Sequence, residues 1–318
     1  MKGAENAIPI IDVGALRGDA ADTERVAREI LAATADVGFF YVRNHGIDDG
    51  LIRRAVKASA EFFDFPLAVK QQAAVNQLNR GFMGVGECNL DGASHHCLKE
   101  VFFWGPQAVQ TSTALDRPLV GANVWPQCLP SLQTEIWPYY EAVMNCGHRL
   151  LSAIAVAMGL RPDFFKSRYR HSLGRGQLLH YPQHPAEAFT DQFGAAPHTD
   201  FGCITLLWQD SSGGLEVRAP SGEWLAAKPI DDTLVVNIGD LLSRWSNNRL
   251  RSTLHRVRNL ASHRRFSMAV FFDPDSDALI DPRDMSPGES VAALYPPITA
   301  GEYIMSRNRK AFAHFQQP

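Results

Sequence analysis

Hydrophobic positions recur at helical spacing in three stretches of the first half of the chain. Apolar side chains there return every three to four residues, which places them on one face of a helix. The pattern predicts helices over residues 22–36, 48–63 and 129–158. Gly38 is expected to end the first helix, because glycine adopts the backbone conformation that commonly follows a helix. Residues 8–12 and the aromatic and β-branched residues 39–42 predict short strands.

From about residue 175 the pattern changes to short apolar runs separated by glycine, proline, asparagine, aspartate and serine. Strands are predicted at residues 178–181, 203–208, 215–218, 224–228, 234–238, 254–258 and 266–272. Strands of this length and spacing are typical of an antiparallel sandwich or barrel. Residues 259–262 have the composition of a turn and predict a hairpin between the last two strands.

No linker rich in proline, glycine or serine separates the two patterns, so we expect a single domain over residues 1–318. Within it, a mostly helical region at residues 1–174 is expected to pack on a β core at residues 175–298. Residues 299–318 are expected to form a helical tail. The predicted fold class is therefore α+β with a mainly β core.

The composition is that of an ordinary globular protein, with 45% hydrophobic and 20% charged residues in a chain of 318. Its 31 basic and 34 acidic side chains give a formal net charge of -3. Proteins that bind nucleic acid broadly carry an excess of basic residues, so we expect no nucleic-acid partner. This charge is compatible with a small-molecule partner.

The cysteines and the apolar runs indicate the compartment. Five cysteines are scattered along the chain, which suits free thiols in a reducing cytosol better than a disulfide framework. No apolar run approaches the roughly 20 residues that cross a bilayer, and residues 1–6 contain no apolar signal core. We therefore expect a cytoplasmic protein with no membrane partner. The sequence leaves the oligomeric state open, with a monomer favoured.

A candidate metal site begins with the motif PHTD at residues 197–200. Side chains two positions apart in an extended segment point to the same side, so His198 and Asp200 can bind one metal ion together. His255 is the best candidate for a third ligand, because a histidine within a predicted strand is uncommon without a partner. Two histidines and one carboxylate leave coordination positions open, as in non-haem Fe(II) oxygenases. Zinc hydrolases use a similar set, so the ligands alone leave the metal undecided.

A candidate carboxylate clamp follows at Arg265 and Ser267, which share one face of the last predicted strand while Phe266 points to the other. A guanidinium group binds a carboxylate through two parallel hydrogen bonds. The predicted hairpin would bring Arg265 beside His255 on the adjoining strand. A clamp beside a metal site implies a co-substrate that chelates metal at one end and offers a carboxylate at the other. 2-Oxoglutarate has this shape.

These motifs, in this order, resemble the isopenicillin N synthase-like group of iron(II)/2-oxoglutarate-dependent oxygenases, and the resemblance covers nearly the whole chain. In the helical region the motifs are IPIID at residues 8–12, GFFYVRNHG at 38–46, NRGF at 79–82 and LKE at 98–100. In the β region they are PHTD at 197–200, GGLEV at 213–217, VVNIGD at 235–240, WSNN at 245–248 and LHRV at 254–257.

The resemblance implies a double-stranded β-helix, or jelly roll, flanked by helices. It implies His198, Asp200 and His255 as the catalytic Fe(II) ligands. It also implies that Arg265 and Ser267 bind the distal carboxylate of 2-oxoglutarate, with Tyr181 as a further contact. The implied reaction consumes dioxygen and 2-oxoglutarate, releases succinate and carbon dioxide, and hydroxylates, desaturates or cyclises a small organic substrate. Gln177 departs from the family pattern, since many members have an arginine there, and is expected in the substrate pocket.

Three alternatives stay open at this point. An isopenicillin N synthase-like oxidase would not use 2-oxoglutarate, and its clamp would hold the substrate's own carboxylate. A non-catalytic small-molecule binder could use the same scaffold, and a zinc hydrolase could use the same ligands. His95 and His96, with Cys88 and Cys97 nearby, match no common zinc spacing. We expect this segment to line the substrate pocket.

Overall fold

The computed structural model of the protein describes residues 8–18, 20–88, 97–107, 119–183, 193–258, 263–286 and 292–315. Its helices are α1 (Ala20–Asp36), α2 (Asp49–Asp64), α3 (Leu67–Lys70), α4 (Ser131–Ala157), α5 (Asp240–Trp245) and α6 (Ala300–Ala311). Its strands in the first half are β1 (Ile10–Asp12), β2 (Phe39–Arg43), β3 (Gly81–Met83) and β4 (Glu100–Trp104). Those in the second half are β5 (Arg175–Tyr181), β6 (Ala195–His198), β7 (Ile204–Gln209), β8 (Leu215–Arg218), β9 (Trp224–Ala226), β10 (Thr233–Ile238), β11 (His255–Val257), β12 (Arg265–Phe272), β13 (Leu279–Ile280) and β14 (Ile298–Thr299).

The long helices lie where the hydrophobic spacing predicts them, and local chemistry sets their ends. Gly38 has a φ of 76° directly after α1, a conformation that glycine adopts without steric cost. The Asp48 carboxylate accepts the Gly50 backbone N–H at 2.8 Å and so caps the start of α2. Thr299 and Glu302 form a reciprocal capping box at the start of α6.

The strands form two large sheets. The main sheet has eight strands in the order β1-β2-β10-β7-β12-β5-β4-β3, and every pair except the parallel β1–β2 is antiparallel. The second sheet is antiparallel and has the order β6-β11-β8-β9. β13 and β14 form a separate antiparallel pair.

One face of the main sheet packs against helices α1, α2 and α4. On β12, Met268, Val270 and Phe272 belong to this hydrophobic core, together with buried residues of the three helices. Gly147 allows α4 to pack closely on the sheet, because a Cβ atom built there would lie 2.0 Å from the Phe272 ring. A larger residue at this position would force the helix and the sheet apart.

The opposite face of the main sheet is turned toward the second sheet. The hydrophobic cluster between them contains Leu179 and Val235 from the main sheet and Leu215 and Val257 from the second. Two facing antiparallel sheets are the architecture of a jelly roll. The predicted α+β class with a mainly β core is confirmed.

The predicted hairpin between the last two strands is wrong. β11 pairs with β6 and β8 in the second sheet, whereas β12 pairs with β5 and β7 in the main sheet. The chain therefore crosses from one sheet to the other between Val257 and Arg265, and residues 259–262 lie outside the described residues. A turn composition predicts a change of direction, but it does not determine which sheet the next strand joins.

The region 1–174 contributes more than helices. It supplies β1, β2, β3 and β4, so the main sheet takes half of its strands from each side of residue 174. The hydrophobic pattern does not predict β3, β4 or β6. Within the described ranges, no helix combines the length and the apolar character needed to cross a bilayer.

Candidate functional site

The two histidines and the aspartate of the predicted metal site converge. His198 ends β6 and lies directly opposite His255 at the start of β11, on a neighbouring strand of the second sheet. Asp200 follows two residues after His198, and its Oδ1 lies 3.9 Å from His198 Nε2 and 3.6 Å from His255 Nε2. One possible ligand atom from each of the three side chains lies within 4.8 Å of the others. This spacing suits a single metal ion shared by the three groups.

Hydrogen bonds fix which nitrogen of each imidazole faces the shared point. His198 Nδ1 lies 2.7 Å from the Ala196 carbonyl oxygen, and His255 Nδ1 lies 3.1 Å from the Thr253 carbonyl oxygen. A carbonyl can only accept, so Nδ1 is the protonated nitrogen in both rings. Each Nε2 therefore keeps a free lone pair, which is what a metal ligand requires.

Burial and charge keep these groups in the protonation state that binds a metal. Burial, followed by the neighbouring His255, lowers the pKa of His198 to about 3, so its imidazole is neutral at pH 7. Burial alone would raise the pKa of Asp200, but His255, His198 and two hydrogen bonds to the carboxylate outweigh it and lower the pKa. The site thus offers a neutral imidazole from His198 and an ionised carboxylate from Asp200.

Two residues of the main sheet orient Asp200. Thr205 on β7 donates its hydroxyl to Asp200 Oδ2 at 2.6 Å, and Asn237 on β10 donates its side-chain N–H to the same oxygen at 2.8 Å. With Oδ2 engaged, Oδ1 is left facing the two histidines. The sequence patterns did not indicate either role. A polar residue among the apolar residues of a buried strand was the available signal.

Arg265 and Ser267 lie on the face of β12 that is turned toward the second sheet, and Phe266 points away, as predicted. Arg265 is 1% exposed. Its Nε donates to the Gly213 carbonyl at 2.7 Å, its Nη1 to Ser267 Oγ at 3.1 Å and its Nη2 to Gln209 Oε1 at 3.3 Å. These bonds hold the guanidinium plane in one orientation.

Tyr181 lies beside this clamp. It is the direct partner of Arg265 in the register between β5 and β12, and the Arg265 guanidinium carbon lies 4.7 Å from the centre of the Tyr181 ring. A guanidinium group over an aromatic face is held by a cation–π interaction. The structure therefore brings together the six residues predicted to hold the metal and the co-substrate carboxylate.

One cavity between the sheets connects the metal site and the clamp. This first lobe is lined by the triad together with Arg265, Ser267 and Tyr181. A second lobe shares His198 and Asp200 with the first but is not lined by Arg265 or Ser267. Gln177 lines both lobes. His95 and His96 lie outside the described residues.

Lys99 also lines both lobes, and sequence reasoning did not single it out. Its side chain is buried. Burial alone would lower the pKa of Lys99, but nearby groups that include Cys88, Tyr181 and Asp200 outweigh it, and the pKa is raised. The ammonium group is therefore charged at neutral pH. A lysine directly before the apolar strand β4 was the signal in the sequence.

The donor set fits Fe(II). Two imidazole nitrogens and one carboxylate oxygen on one side of an ion leave the remaining coordination positions open, which is the facial arrangement of non-haem Fe(II) oxygenases. The cavity beside the triad leaves room at those positions.

Comparison with known proteins decides the family. Residues 8–128 match the family described as non-haem dioxygenase in morphine synthesis N-terminal, and residues 165–274 match the 2OG-Fe(II) oxygenase superfamily. The chain is 34% identical over 300 residues to the 2-oxoglutarate-dependent dioxygenase caaD of Aspergillus niger, covering 89% of this chain and 90% of the relative. The chain belongs to the 2-oxoglutarate- and Fe(II)-dependent oxygenases.

Other proteins are similar to this oxygenase over almost their whole length. Homoarginine-6-hydroxylase 2-ODD-233 of Oryza sativa is 32% identical, with 95% of this chain and 96% of the relative covered. The crystal structure of a full-length Neurospora crassa protein in complex with alpha-KG and thymine has a TM-score of 0.85 and 29% identity, and covers 96% of this chain and 98% of that one. The oxygenase is thus an Fe(II)- and 2-oxoglutarate-dependent dioxygenase with a jelly-roll core.

Proposed function

We propose that His198, Asp200 and His255 are the Fe(II) ligands of this oxygenase, and that Arg265, Ser267 and Tyr181 bind the distal carboxylate of 2-oxoglutarate. The observation that carries the proposal is that both sets of side chains line one buried cavity. A co-substrate lying across that cavity can meet the metal at one end and the clamp at the other.

The protein contributes geometry and charge to the reaction. Bound Fe(II) supplies the redox chemistry that couples dioxygen and 2-oxoglutarate to oxidation of the substrate. Ala196 and Thr253 hold the two imidazoles through Nδ1, and Thr205 and Asn237 hold the carboxylate through Oδ2. The ligands therefore meet the metal already oriented, which reduces the cost of assembling the site.

The clamp is oriented in the same way. The Gly213 carbonyl accepts from Arg265 Nε, so the Nη edge of the guanidinium is the one available to a carboxylate. Ser267 Oγ accepts from Arg265 Nη1 and keeps its own proton free to donate to the same carboxylate. Because Arg265 is buried, its charge is poorly screened and favours an anionic partner.

We propose that the primary substrate is a small organic molecule bound in the second lobe, next to the metal ligands. Support comes from relatives: one is named for homoarginine hydroxylation, and another binds thymine together with alpha-KG.

We also propose a cytoplasmic monomer and a single domain, with a helical region 1–174, a jelly-roll core 175–298 and a tail 299–318. The main sheet favours one domain, because its strands come from both sides of residue 174.

Anaerobic titration tests the proposed roles directly. Purified protein is loaded with Fe(II), and 2-oxoglutarate is added without oxygen. A metal-to-ligand absorption band is expected in the wild type, and succinate should form once oxygen is admitted. If neither the band nor succinate appears with Fe(II) bound, the proposal is wrong, and an oxidase that does not use 2-oxoglutarate becomes the better description.

A further inference from the structure

We propose that Lys99 forms a carboxylate-binding subsite in the second lobe and selects a small organic acid as the primary substrate. This inference rests on the proposed function, because it takes the first lobe as the place of 2-oxoglutarate. It concerns a residue that belongs neither to the metal ligands nor to the clamp.

Strand alternation directs Lys99 into the cavity. On β4, Val101 and Phe103 belong to the hydrophobic cluster between the two sheets, and Phe102 and Trp104 belong to the cluster under the helices. Lys99 is in phase with Val101 and Phe103, so it faces the cavity between the sheets.

The neighbour of Lys99 on the strand shows the opposite arrangement. Glu100 points to the helical side, where its carboxylate accepts from Lys70 Nζ at 2.7 Å and lies 2.8 Å from His180 Nδ1. The nearest acidic residue in the sequence is therefore already occupied and faces away from Lys99.

The ammonium group of Lys99 is left for a ligand to neutralise. Across the ranges that the structure describes, its Nζ makes neither a hydrogen bond nor an ion pair, although the residue is only 7% exposed. Another buried lysine, Lys70, is bonded both to Glu100 and to the Phe63 carbonyl. The N–H donors of the Lys99 ammonium group are therefore free to bind a ligand anion.

The charges of the loaded site point to an anionic substrate. Fe(II) together with Asp200 leaves one positive charge, and Arg265 adds another, so that the two carboxylates of 2-oxoglutarate neutralise them. Arg175, at the wall of the second lobe, is paired with the buried Asp273 at 2.6 Å. Lys99 is then left as one uncompensated positive charge at the cavity, and a monocarboxylate would balance it.

The position of Lys99 separates this subsite from the clamp. Arg265 and Ser267 line only the first lobe, whereas Lys99 also lines the second lobe with Phe201, Phe271 and Phe312. A substrate can place its carboxylate at Lys99 and its apolar part against these rings. His198 and Asp200 form part of the same wall, so the substrate would lie beside the metal.

A panel of small carboxylic acids, each paired with its primary amide, tests the subsite. The Fe(II)-loaded enzyme is assayed for 2-oxoglutarate decarboxylation stimulated by each compound, with the wild type, Lys99→Met, Lys99→Arg and the surface control Lys57→Met. Anaerobic titration gives the Kd for 2-oxoglutarate of each protein, and thermal unfolding checks that each is folded. The metal-to-ligand absorption band of the 2-oxoglutarate complex, recorded with and without each acid, reports acid binding independently of turnover.

We expect acids to act on the wild type and the matched amides to be inactive or much weaker. Loss of one charge-assisted contact in Lys99→Met should raise the half-saturating acid concentration by about 10- to 100-fold, with the Kd for 2-oxoglutarate unchanged. Lys99→Arg should retain the preference for acids, and Lys57→Met should behave as the wild type.

Three outcomes overturn the inference: no acid acts on the wild type, amides act as well as acids, or Lys99→Met leaves the response to acids unchanged. Equal weakening of 2-oxoglutarate and acid binding in Lys99→Met would also overturn it, because Lys99 would then serve the co-substrate. If instead the proposed function is wrong, the wild type itself gives no metal-to-ligand absorption band with 2-oxoglutarate, which distinguishes the two cases.

Discussion

Replacement of Arg265 by alanine is the sharpest test of the clamp. Arg265 is 1% exposed, so its guanidinium would meet the distal carboxylate of 2-oxoglutarate away from water. Loss of one partner of a buried charge pair costs about 2–5 kcal/mol. At about 1.4 kcal/mol per tenfold change, Arg265→Ala should weaken 2-oxoglutarate binding by roughly 30- to 5,000-fold.

Two milder variants should weaken 2-oxoglutarate binding less than Arg265→Ala does. Arg265→Lys keeps the positive charge but loses the planar fork and the bond from Nε to the Gly213 carbonyl, so its Kd should fall between those of the wild type and Arg265→Ala. Ser267→Ala removes one hydroxyl donor, which is worth about 1 kcal/mol or about a fivefold change in Kd.

The assay is anaerobic titration of the Fe(II)-loaded protein with 2-oxoglutarate and with 2-oxopentanoate, which lacks the distal carboxylate. Arg265→Ala should bind 2-oxoglutarate weakly and 2-oxopentanoate almost as the wild type does, so the preference for the diacid disappears. Thermal unfolding of each variant separates this effect from the stability lost with the bonds to Gly213 and Gln209. If Arg265→Ala retains the wild-type Kd for 2-oxoglutarate, the clamp lies elsewhere.

Three further predictions concern the metal ligands, their support and pH. His198→Ala should lose Fe(II) binding and succinate formation together, as measured by metal content and product, and retained turnover would overturn the ligand assignment. Asn237→Ala removes the 2.8 Å bond to Asp200 Oδ2 and should weaken Fe(II) binding by about 10- to 100-fold in a chelator competition; an unchanged affinity would rule out a positioning role. Burial lowers the pKa of His314 to about 4 from 6.5, so the unfolded chain takes up this proton first as the pH falls. The stability of the folded protein should therefore decrease from about pH 6.5 to pH 4. Thermal unfolding should show a smaller decrease for His314→Gln, and identical plots of stability against pH for the two proteins would contradict a contribution from His314.

Short-range patterns were sufficient for the parts of the site that lie within one segment. His198 and Asp200 are two positions apart, as are Arg265 and Ser267, and the period of an extended chain places each pair on one side. The end of α1 and the starts of α2 and α6 are also set locally, because the glycine, aspartate and threonine caps act within a few residues.

Contacts between distant strands were not predictable from these patterns. The orientation of Asp200 depends on Thr205 and Asn237, which reach it from two neighbouring strands of the main sheet. The predicted hairpin was wrong because the choice of sheet is made by pairing with strands far away in the sequence. Lys99 was overlooked for the same reason. The sequence alone does not show that Lys99 faces the cavity while Glu100 faces the helices.

The pairing of β2 with β10 has a consequence for how the chain folds. Thr253, beyond β10, donates its hydroxyl to the Val37 carbonyl at 2.7 Å across 216 positions of sequence, and Phe39 pairs with Asn237. Contacts of such long range raise the contact order and slow folding. During synthesis on the ribosome the apolar β2 must wait, without its β10 partner, until most of the chain has been made, which favours aggregation of the nascent chain. The strand that carries Asn237 is also the partner of β2, so the support of the proposed metal ligand Asp200 is completed only when these two strands, far apart in sequence, pair.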